Sequence, residues 1–231
     1  QRQMCIRDSV TTETIKTIAE RNGVEMYDVY TGFKWIANVM RENEGKKNYI
    51  GGGEESYGFL CEDFVRDKDA VSACVILAEI AAWAKDQGLS LYQLLQKIYV
   101  EYGFSKEKGI SVVKKGKSGA EEIEAMMKKF RENPLTEIAG SKVTYFYDYS
   151  TLKGKDYAEN ETVTLDMPTT SNVLQYFTED NTKVSIRPSG TEPKIKFYCE
   201  VHSKVKSIDE LPEAEKAAEE KINQIKASLG I

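Results

Sequence analysis

The elements that the sequence predicts change character once along the chain, near Asn133-Pro134 and Gly140. Before this point predicted strands and helices alternate, as in an α/β layered domain. After it the sequence predicts four strands and one closing helix over residues 213–229, which is the pattern of an α+β unit. Those strands are expected at residues 143–149, 173–177, 183–187 and 194–201. We therefore expect an α/β three-layer domain over residues 10–134 and an α+β domain over residues 135–231.

The first nine residues, QRQMCIRDS, have neither strand nor helix periodicity and do not lead into the helix predicted after them. We expect residues 1–9 to be a non-native leader. The α/β domain is then expected to lack its first strand and to be incomplete at its N-terminus.

Residues 70–84 are apolar nearly all round, with Val71, Val75 and Ile80 on different sides of the predicted helix. A helix of this composition is typically buried in the core of a protein. We therefore expect a buried helix here.

The overall charge limits what the chain can bind. The 231 residues carry a formal net charge of -5, whereas nucleic-acid-binding domains usually need a strong basic excess to replace counterions. No apolar run approaches the ~20 residues of a membrane span, and the first residues contain no signal-peptide h-region. We expect a cytoplasmic protein that binds neither nucleic acid nor membrane, with any anion site confined to a local cluster.

Cysteine and histidine usage argues against a metal site. The four cysteines form no CxxC pair, and His202 is the only histidine. Because zinc sites use these ligands at characteristic spacings, we expect reduced thiols and no structural metal.

A candidate anion-binding loop lies between two predicted strands at residues 187–194 (RPSGTEPK). It combines an arginine fork, two hydroxyl groups, a glycine and a lysine. These groups supply the charge-assisted and backbone N–H hydrogen bonds that cradle a phosphate. Proline, serine, glycine and threonine are equally typical of an ordinary hairpin loop, so composition alone leaves both interpretations open.

A second candidate loop is the glycine-rich segment at residues 51–58 (GGGEESYG). Its glycines allow the backbone to approach a ligand closely, and its carboxylates and serine hydroxyl can bond the hydroxyl groups of a sugar. The spacing does not match GxGxxG, so a dinucleotide site is not supported. A flexible acidic loop is the alternative.

A third candidate, residues 66–69 (RDKD), lies directly before the apolar helix. A lysine at this position can act as a general base, which makes Lys68 a candidate catalytic residue. The alternative is a solvated helix entrance in which Asp69 caps the helix.

Taken in order, these loops resemble the second half of an α-D-phosphohexomutase of the phosphoglucomutase type. The resemblance rests on four motifs, at residues 30–34 (YTGFK), 53–58 (GEESYG), 66–69 (RDKD) and 187–193 (RPSGTEP). It covers nearly everything from about Val10 to the end of the chain. Four motifs in the family's order are far more specific than any one of them.

The resemblance implies a role for each motif. In that family the third domain reads the sugar hydroxyls, and the fourth, TATA-binding-protein-like domain grips the phosphate that is not being transferred. Glu54 and Ser56 would bind sugar hydroxyls, and Lys68 would be the general acid/base. Thr31 and Gly32 would help to shape the sugar-binding wall. The residues expected to hold the distal phosphate are Arg187, Ser189, Gly190, Thr191 and Lys194.

The activity that the resemblance implies is the interconversion of glucose 1-phosphate and glucose 6-phosphate through glucose 1,6-bisphosphate. The family's phosphoserine loop and its DGDxDR-like Mg²⁺ loop do not occur in this sequence. We therefore expect a C-terminal fragment that is inactive alone and that partners the missing N-terminal domains. Mannose and pentose phosphates stay open as substrates. The sequence is also compatible with a non-catalytic phosphosugar-binding module and with a domain that binds no ligand.

Overall fold

The structure, a computed structural model, describes residues 2–114 and 116–231. The chain divides into two compact units. The first extends to Gly103 and takes in Lys204–Ile208, and the second comprises Phe104–Ser203 and Asp209–Ile231. In the described ranges, no helix has both the length and the apolar character needed to cross a bilayer.

The first unit has alternating strands and helices, which confirms the predicted α/β class. Its elements are β1 (Arg2–Asp8), α1 (Glu13–Arg21), β2 (Glu25–Val29), α2 (Phe33–Glu42), β3 (Lys47–Glu54), β4 (Gly58–Cys61), α3 (Ala70–Asp86) and α4 (Leu91–Tyr102). The strand order is β2-β1-β3-β4. β1 pairs in parallel with β2 and β3, whereas β4 is antiparallel to β3.

One face of α2 closes the core of the first unit. Phe33, Ile36 and Met40 recur at helical spacing, and all three are buried. They pack with buried side chains of the sheet, including Ile6 and Leu60. Burial of large apolar side chains contributes about 1.5–3 kcal/mol each, so this core fixes the position of the N-terminal end of α2.

Residues 2–8 correct the sequence prediction. The sequence predicts no strand in residues 1–9, and this is wrong, because Arg2–Asp8 form β1. Met4 and Ile6 are buried, and β1 lies between β2 and β3 in the sheet. Polar and charged residues at most of the other positions hide the alternation that marks a strand. The non-native origin of residues 1–9 stays a prediction.

The helix predicted at residues 70–84 is confirmed as α3, but its predicted burial is wrong. Val71 is 74% exposed, Val75 54% and Trp83 53%, and Ala84 is the one residue of this helix that is buried. An apolar composition on all sides shows that a helix can be buried but does not show that other elements cover it. In the described chain, α3 is contacted chiefly by β4 and α4. The apolar surface of α3 is therefore left in contact with solvent.

The second unit is an α+β unit, as predicted. Its elements are β5 (Phe104–Val113), α5 (Gly116–Glu132), β6 (Glu137–Ile138), β7 (Ser141–Asp148), β8 (Lys153–Asp156), β9 (Glu161–Thr164), β10 (Leu174–Thr178), β11 (Lys183–Pro188), β12 (Lys194–Ser203) and α6 (Leu211–Leu229), the last preceded by a 3₁₀ turn at Ile208–Glu210. The four predicted strands are confirmed as β7, β10, β11 and β12. The predicted closing helix is confirmed as α6.

The sheet of the second unit has the order β5-β12-β11-β10-β7-β8-β9, with β6 paired to β7. All neighbouring strands along this path are antiparallel. Ile195, Phe197 and Cys199 alternate along β12 and are buried. Phe197 meets Phe130 of α5 at 6.2 Å between ring centroids, and α6 contributes buried Ile222.

The predicted domain boundary near residue 134 is wrong. β5 pairs with β12 along its whole length, from Phe104 opposite Ser203 to Val113 opposite Lys194, so β5 and α5 belong to the second unit. The boundary lies at Gly103 instead. The change in residue pattern at residues 133–140 instead marks the turn from α5 into the β6-β7 hairpin. The boundary at Gly103 was missed because a pairing between strands about 90 residues apart leaves no local signal.

Candidate functional site

The first candidate residues converge at the N-terminal end of α2. Gly32 is the N-cap of α2, with a φ of 120° that favours glycine, and it has no side chain to cap the helix. The carboxylate of Glu54 satisfies the N–H of this N-cap residue, because its Oε1 atom accepts a hydrogen bond from the backbone N–H of Gly32 at 2.5 Å. Thr31, half-buried, directly precedes this contact. The structure therefore brings Thr31, Gly32 and Glu54 together.

Glu54 is held in place by a narrow hairpin. The segment predicted as a loop at residues 51–58 is instead the end of β3, a short turn and the start of β4. A Cβ atom at Gly53 would come within 2.4 Å of the carbonyl oxygen of Gly58, so the close approach of the two strands requires glycine there. Ser56 lies in the turn and is exposed.

Lys68 lies next to the first turn of α2. Its Nζ atom is 5.8 Å from the ring centroid of Phe33, the first residue of that helix. It also forms an ion pair with Asp67 at 3.2 Å, and hydrogen bonds from the backbone and side chain of Lys68 hold the pKa of Asp67 below its usual value. Gly32 and Phe33 thus bring Glu54 and Lys68 to the same end of one helix.

Asp69 caps α3, as the alternative interpretation of residues 66–69 predicts. Its side chain accepts a hydrogen bond from the backbone N–H of Ser72 at 2.7 Å. Its own N–H donates to the carbonyl oxygen of Phe59 at 3.1 Å. The segment that carries Lys68 is therefore anchored at one end to α3 and β4, while the Lys68 side chain stays 46% exposed.

The second group of candidates lies in the turn between β11 and β12. The N–H of Ser189 donates to the carbonyl oxygen of Lys194 at 2.7 Å, which closes the turn. The Ser189 hydroxyl accepts from the N–H groups of Thr191 and Glu192 at 3.4 and 3.3 Å. Gly190 and Thr191 are exposed at the tip. Ser189 therefore shapes the loop from within.

The two cations of this loop have different surroundings. Lys194 forms an ion pair with Glu192 at 3.1 Å. Arg187 is half-buried, opposite Lys196 on β12, and within residues 2–114 and 116–231 its side chain forms no hydrogen bond or ion pair. A half-buried arginine whose guanidinium pairs with no carboxylate is a strong site for an anion.

A cavity of about 840 Å³ opens beside the same loop. Ser189, Gly190 and Thr191 line one side. Helix α5 lines the other side, with Arg131 and the buried Met127 among its residues. Arg131 is held by Asp148 at 2.9 Å and by Asn172 at 2.8 Å. The sequence did not predict this contribution from α5, because only the folded sheet places the helix next to the loop.

Phe33 is also absent from the predicted site. It belongs to the YTGFK motif, and its helical spacing with Ile36 and Met40 marked it only as a core residue.

No grouping of three or more His, Cys, Asp or Glu residues among those described could hold a metal ion. The Mg²⁺ that the resemblance implies therefore finds no donor set in this part of the chain.

Comparison with known families places this geometry in context. The model described as "Phosphoglucomutase/phosphomannomutase, alpha/beta/alpha domain III" matches residues 1–102. The model described as "Phosphoglucomutase/phosphomannomutase, C-terminal domain" matches residues 111–218. The chain belongs to the phosphoglucomutase/phosphomannomutase family. The resemblance predicted from the four motifs is confirmed, and the two matched ranges lie on either side of the boundary at Gly103.

Relatives within the family carry the phosphoglucomutase name. The Staphylococcus haemolyticus phosphoglucomutase is 36% identical over 197 residues, which cover 85% of this chain and 36% of the relative. The Staphylococcus aureus phosphoglucomutase of strain bovine RF122 / ET3-1 is 39% identical over 196 residues, covering 85% and 35%. The chain thus spans about a third of the length of these relatives.

Solved structures of family members share the fold. The open form of the Paramecium phosphoprotein pp63/parafusin matches with a TM-score of 0.58 at 19% identity, over 88% of this chain and 33% of that one. A putative phosphomannomutase from Thermus thermophilus matches with a TM-score of 0.56 at 17% identity, over 94% and 37%. At these identities the likeness concerns the fold alone.

Proposed function

We propose that this chain is the C-terminal part of a phosphoglucomutase that interconverts glucose 1-phosphate and glucose 6-phosphate through glucose 1,6-bisphosphate. The observation that carries the proposal is Arg187, a half-buried residue at the base of the RPSGTEP loop whose guanidinium has no carboxylate partner in the described chain. The phosphoglucomutase name of the relatives supports the choice of sugar.

In this proposal the loop between β11 and β12 holds the phosphate that is not being transferred. Arg187 donates a bidentate, charge-assisted pair of hydrogen bonds. The backbone N–H of exposed Gly190 and the hydroxyl of Thr191 add neutral donors. Lys194 contributes once the phosphate replaces Glu192 as its partner, at little cost because an exposed ion pair of this kind is weak.

The hairpin between β3 and β4 binds the sugar. Glu54 uses Oε1 to accept from the N–H of Gly32, which leaves its other carboxylate oxygen to accept a hydrogen bond from a sugar hydroxyl. The Ser56 hydroxyl, exposed in the turn, supplies a second contact. Thr31 and Gly32 form the adjoining part of the sugar-binding wall.

Lys68 moves the proton in the proposed reaction. Its ammonium group lies 5.8 Å from the centroid of the Phe33 ring and 3.2 Å from Asp67, and its exposed side chain can reach a hydroxyl of a bound sugar. Mg²⁺ has no fitting donor set in the described residues, and the same proposal assigns the phosphoserine and the metal to the N-terminal domains of the longer protein. The chain alone is then inactive.

The proposal also includes a cytoplasmic location. All four cysteines are free thiols in the structure, which is the usual state of cysteines in a reducing compartment.

Thermal unfolding of this chain with and without glucose 1,6-bisphosphate tests the proposal. We expect the ligand to raise the melting temperature in a saturable manner, because a ligand that binds the folded state stabilises it. Arg187→Ala should reduce the shift, and Lys142→Ala, which removes an exposed cation elsewhere in the second unit, should preserve it. The absence of any shift in the wild-type chain would favour a domain that binds no ligand.

Mannose 1,6-bisphosphate serves as the comparison ligand in the same experiment. A glucose-directed site predicts a smaller shift with the mannose compound at equal concentration, because an inverted hydroxyl leaves a polar group of the site without its partner. Equal shifts would contradict the glucose assignment while leaving the phosphate loop intact.

A further inference from the structure

The first unit contains a groove that no motif predicted. It has a volume of about 640 Å³. One side is a stripe of α2 formed by Lys34, Asn38 and Arg41, which recur at helical spacing. The other side is the loop before α3, through Arg66. The stripe lies on the opposite side of α2 from its buried residues, so the groove opens to solvent.

Cations exceed available anions in this groove. Lys34 and Arg41 form no ion pair with any residue that the structure describes. Arg41 donates to the neutral amide oxygen of Asn38 at 2.7 Å, and the Lys34 ammonium lies 5.0 Å from the centroid of the Trp35 ring. Both positive charges are therefore available to an added anion.

The carboxylates that face the groove are already engaged. Glu44 forms an ion pair with Arg66 at 3.4 Å, and Asp67 is held by Lys68 at 3.2 Å. Glu42, outside the lining of the groove, accepts a hydrogen bond from the Asn38 side chain at 2.7 Å. The Arg66–Glu44 pair is long and exposed, and such pairs contribute little, so an anion can replace Glu44 at Arg66.

We propose that this groove binds a phosphate monoester dianion. Two guanidinium groups offer the planar fork that phosphate oxygens accept, and Lys34 adds a point charge. The volume lies within the range of small-molecule sites. In a chain with a net charge of -5, a local excess of cations attracts anions that the rest of the surface repels. The proposal concerns the first unit alone and does not depend on mutase activity.

Tryptophan fluorescence of this chain tests the proposal, with Trp35 as the reporter because it adjoins Lys34. The background variant Trp83→Phe removes the other tryptophan, which is exposed on α3. Titration with inorganic phosphate, and then with glucose 1,6-bisphosphate, is made at constant ionic strength. We expect a saturable change in emission, and Arg41→Ala or Arg66→Ala should raise the Kd by at least about fivefold.

Three control variants make the result decisive. Lys16→Ala removes a cation from α1 and should leave the Kd unchanged, whereas Arg41→Lys should fall between wild type and Arg41→Ala. Arg187→Ala should keep the Trp35 response, which separates this site from the proposed phosphate loop. The proposal is overturned if phosphate gives no saturable response, if Arg41→Ala and Arg66→Ala bind like Lys16→Ala, or if Arg187→Ala abolishes the response. Circular dichroism checks that each variant is folded.

Discussion

Glu54 accepts a 2.5 Å hydrogen bond from the backbone N–H of Gly32, the N-cap residue of α2, so one carboxylate joins the end of β3 to the start of a helix 22 positions earlier. This contact holds the β3-β4 hairpin against residues 31–33 before any ligand binds. Glu54, which is proposed to bind the sugar, therefore also stabilises the fold. Substitutions at Glu54 should therefore affect both stability and binding.

Glu54→Ala should lower the free energy of unfolding by about 1 kcal/mol, because it leaves the N–H of Gly32 without its acceptor and loss of one such hydrogen bond typically costs that amount. Glu54→Gln keeps an oxygen that can accept from Gly32 and should unfold close to wild type. Urea titration followed by circular dichroism measures the difference. Equal stability of the alanine variant and the wild type would show that this hydrogen bond contributes nothing.

Gly53→Ala should destabilise the chain by more than about 1 kcal/mol, an order-of-magnitude figure for forced overpacking. The added Cβ would come within 2.4 Å of the Gly58 carbonyl oxygen, and a backbone atom cannot move aside easily. Gly109→Ala is the matched control, because a Cβ there meets nothing within 4 Å. The same urea titration applies to both, and a Gly53 variant as stable as the Gly109 variant would contradict the packing of the hairpin.

The apolar surface of α3 should bind a hydrophobic dye. Val71, Val75 and Leu77 are 74%, 54% and 55% exposed, and exposed apolar patches of this kind bind such probes. Val75→Glu combined with Leu77→Lys should reduce the fluorescence of bound anilinonaphthalene sulfonate without lowering the unfolding midpoint, since neither side chain is buried. A large drop in stability would instead show that these residues belong to a core.

The cysteines should differ sharply in reactivity. Burial raises the pKa of the Cys199 thiol to about 12, with nearby Lys226 lowering it only in part, whereas Cys74 is exposed on α3. Iodoacetamide at pH 8 should alkylate Cys74 and leave Cys199 unmodified until the chain unfolds, because the thiolate is the reactive form. Peptide mass spectrometry reads each site separately, and early modification of Cys199 would contradict its burial.

The same thiol gives a pH dependence with a defined sign. The folded pKa lies above the unfolded one, so between them the folded state binds more protons than the unfolded state. Stability from this group is complete below the unfolded pKa and falls as the pH rises toward 12. Cys199→Ala should weaken that alkaline decline in urea titrations at pH 9–11.

Local patterns predicted the second unit well. Apolar and polar residues alternate along β12, and apolar residues recur with the period of a helix along α6. Both patterns involve residues that are close in sequence, and both elements lie where expected. The short strands β8 and β9 were missed because four residues each give too little alternation. The pairing of β5 with β12 was missed because nothing near residue 104 encodes a partner near residue 203.

In the candidate site as well, local sequence predicted single residues but not the contacts between residues that are distant in sequence. The motifs identified Gly32, Glu54 and Lys68 separately, each from residue types within a few positions. The core around α2 fixes the end of the helix where Gly32 contacts Glu54 and Phe33 contacts Lys68. Motifs that each span a few residues do not predict this arrangement. The position of α5 beside the loop between β11 and β12 also depends on packing alone.

The most direct measurement of the central claim is ¹H–¹⁵N NMR of this chain during titration with glucose 1,6-bisphosphate. If the loop between β11 and β12 captures a phosphate, the amide signals of Ser189, Gly190 and Thr191 will shift together to saturation in the wild-type chain and stay fixed in Arg187→Ala. Unmoved loop amides at ligand concentrations that saturate the thermal shift, or identical shifts in Arg187→Ala, would contradict the account.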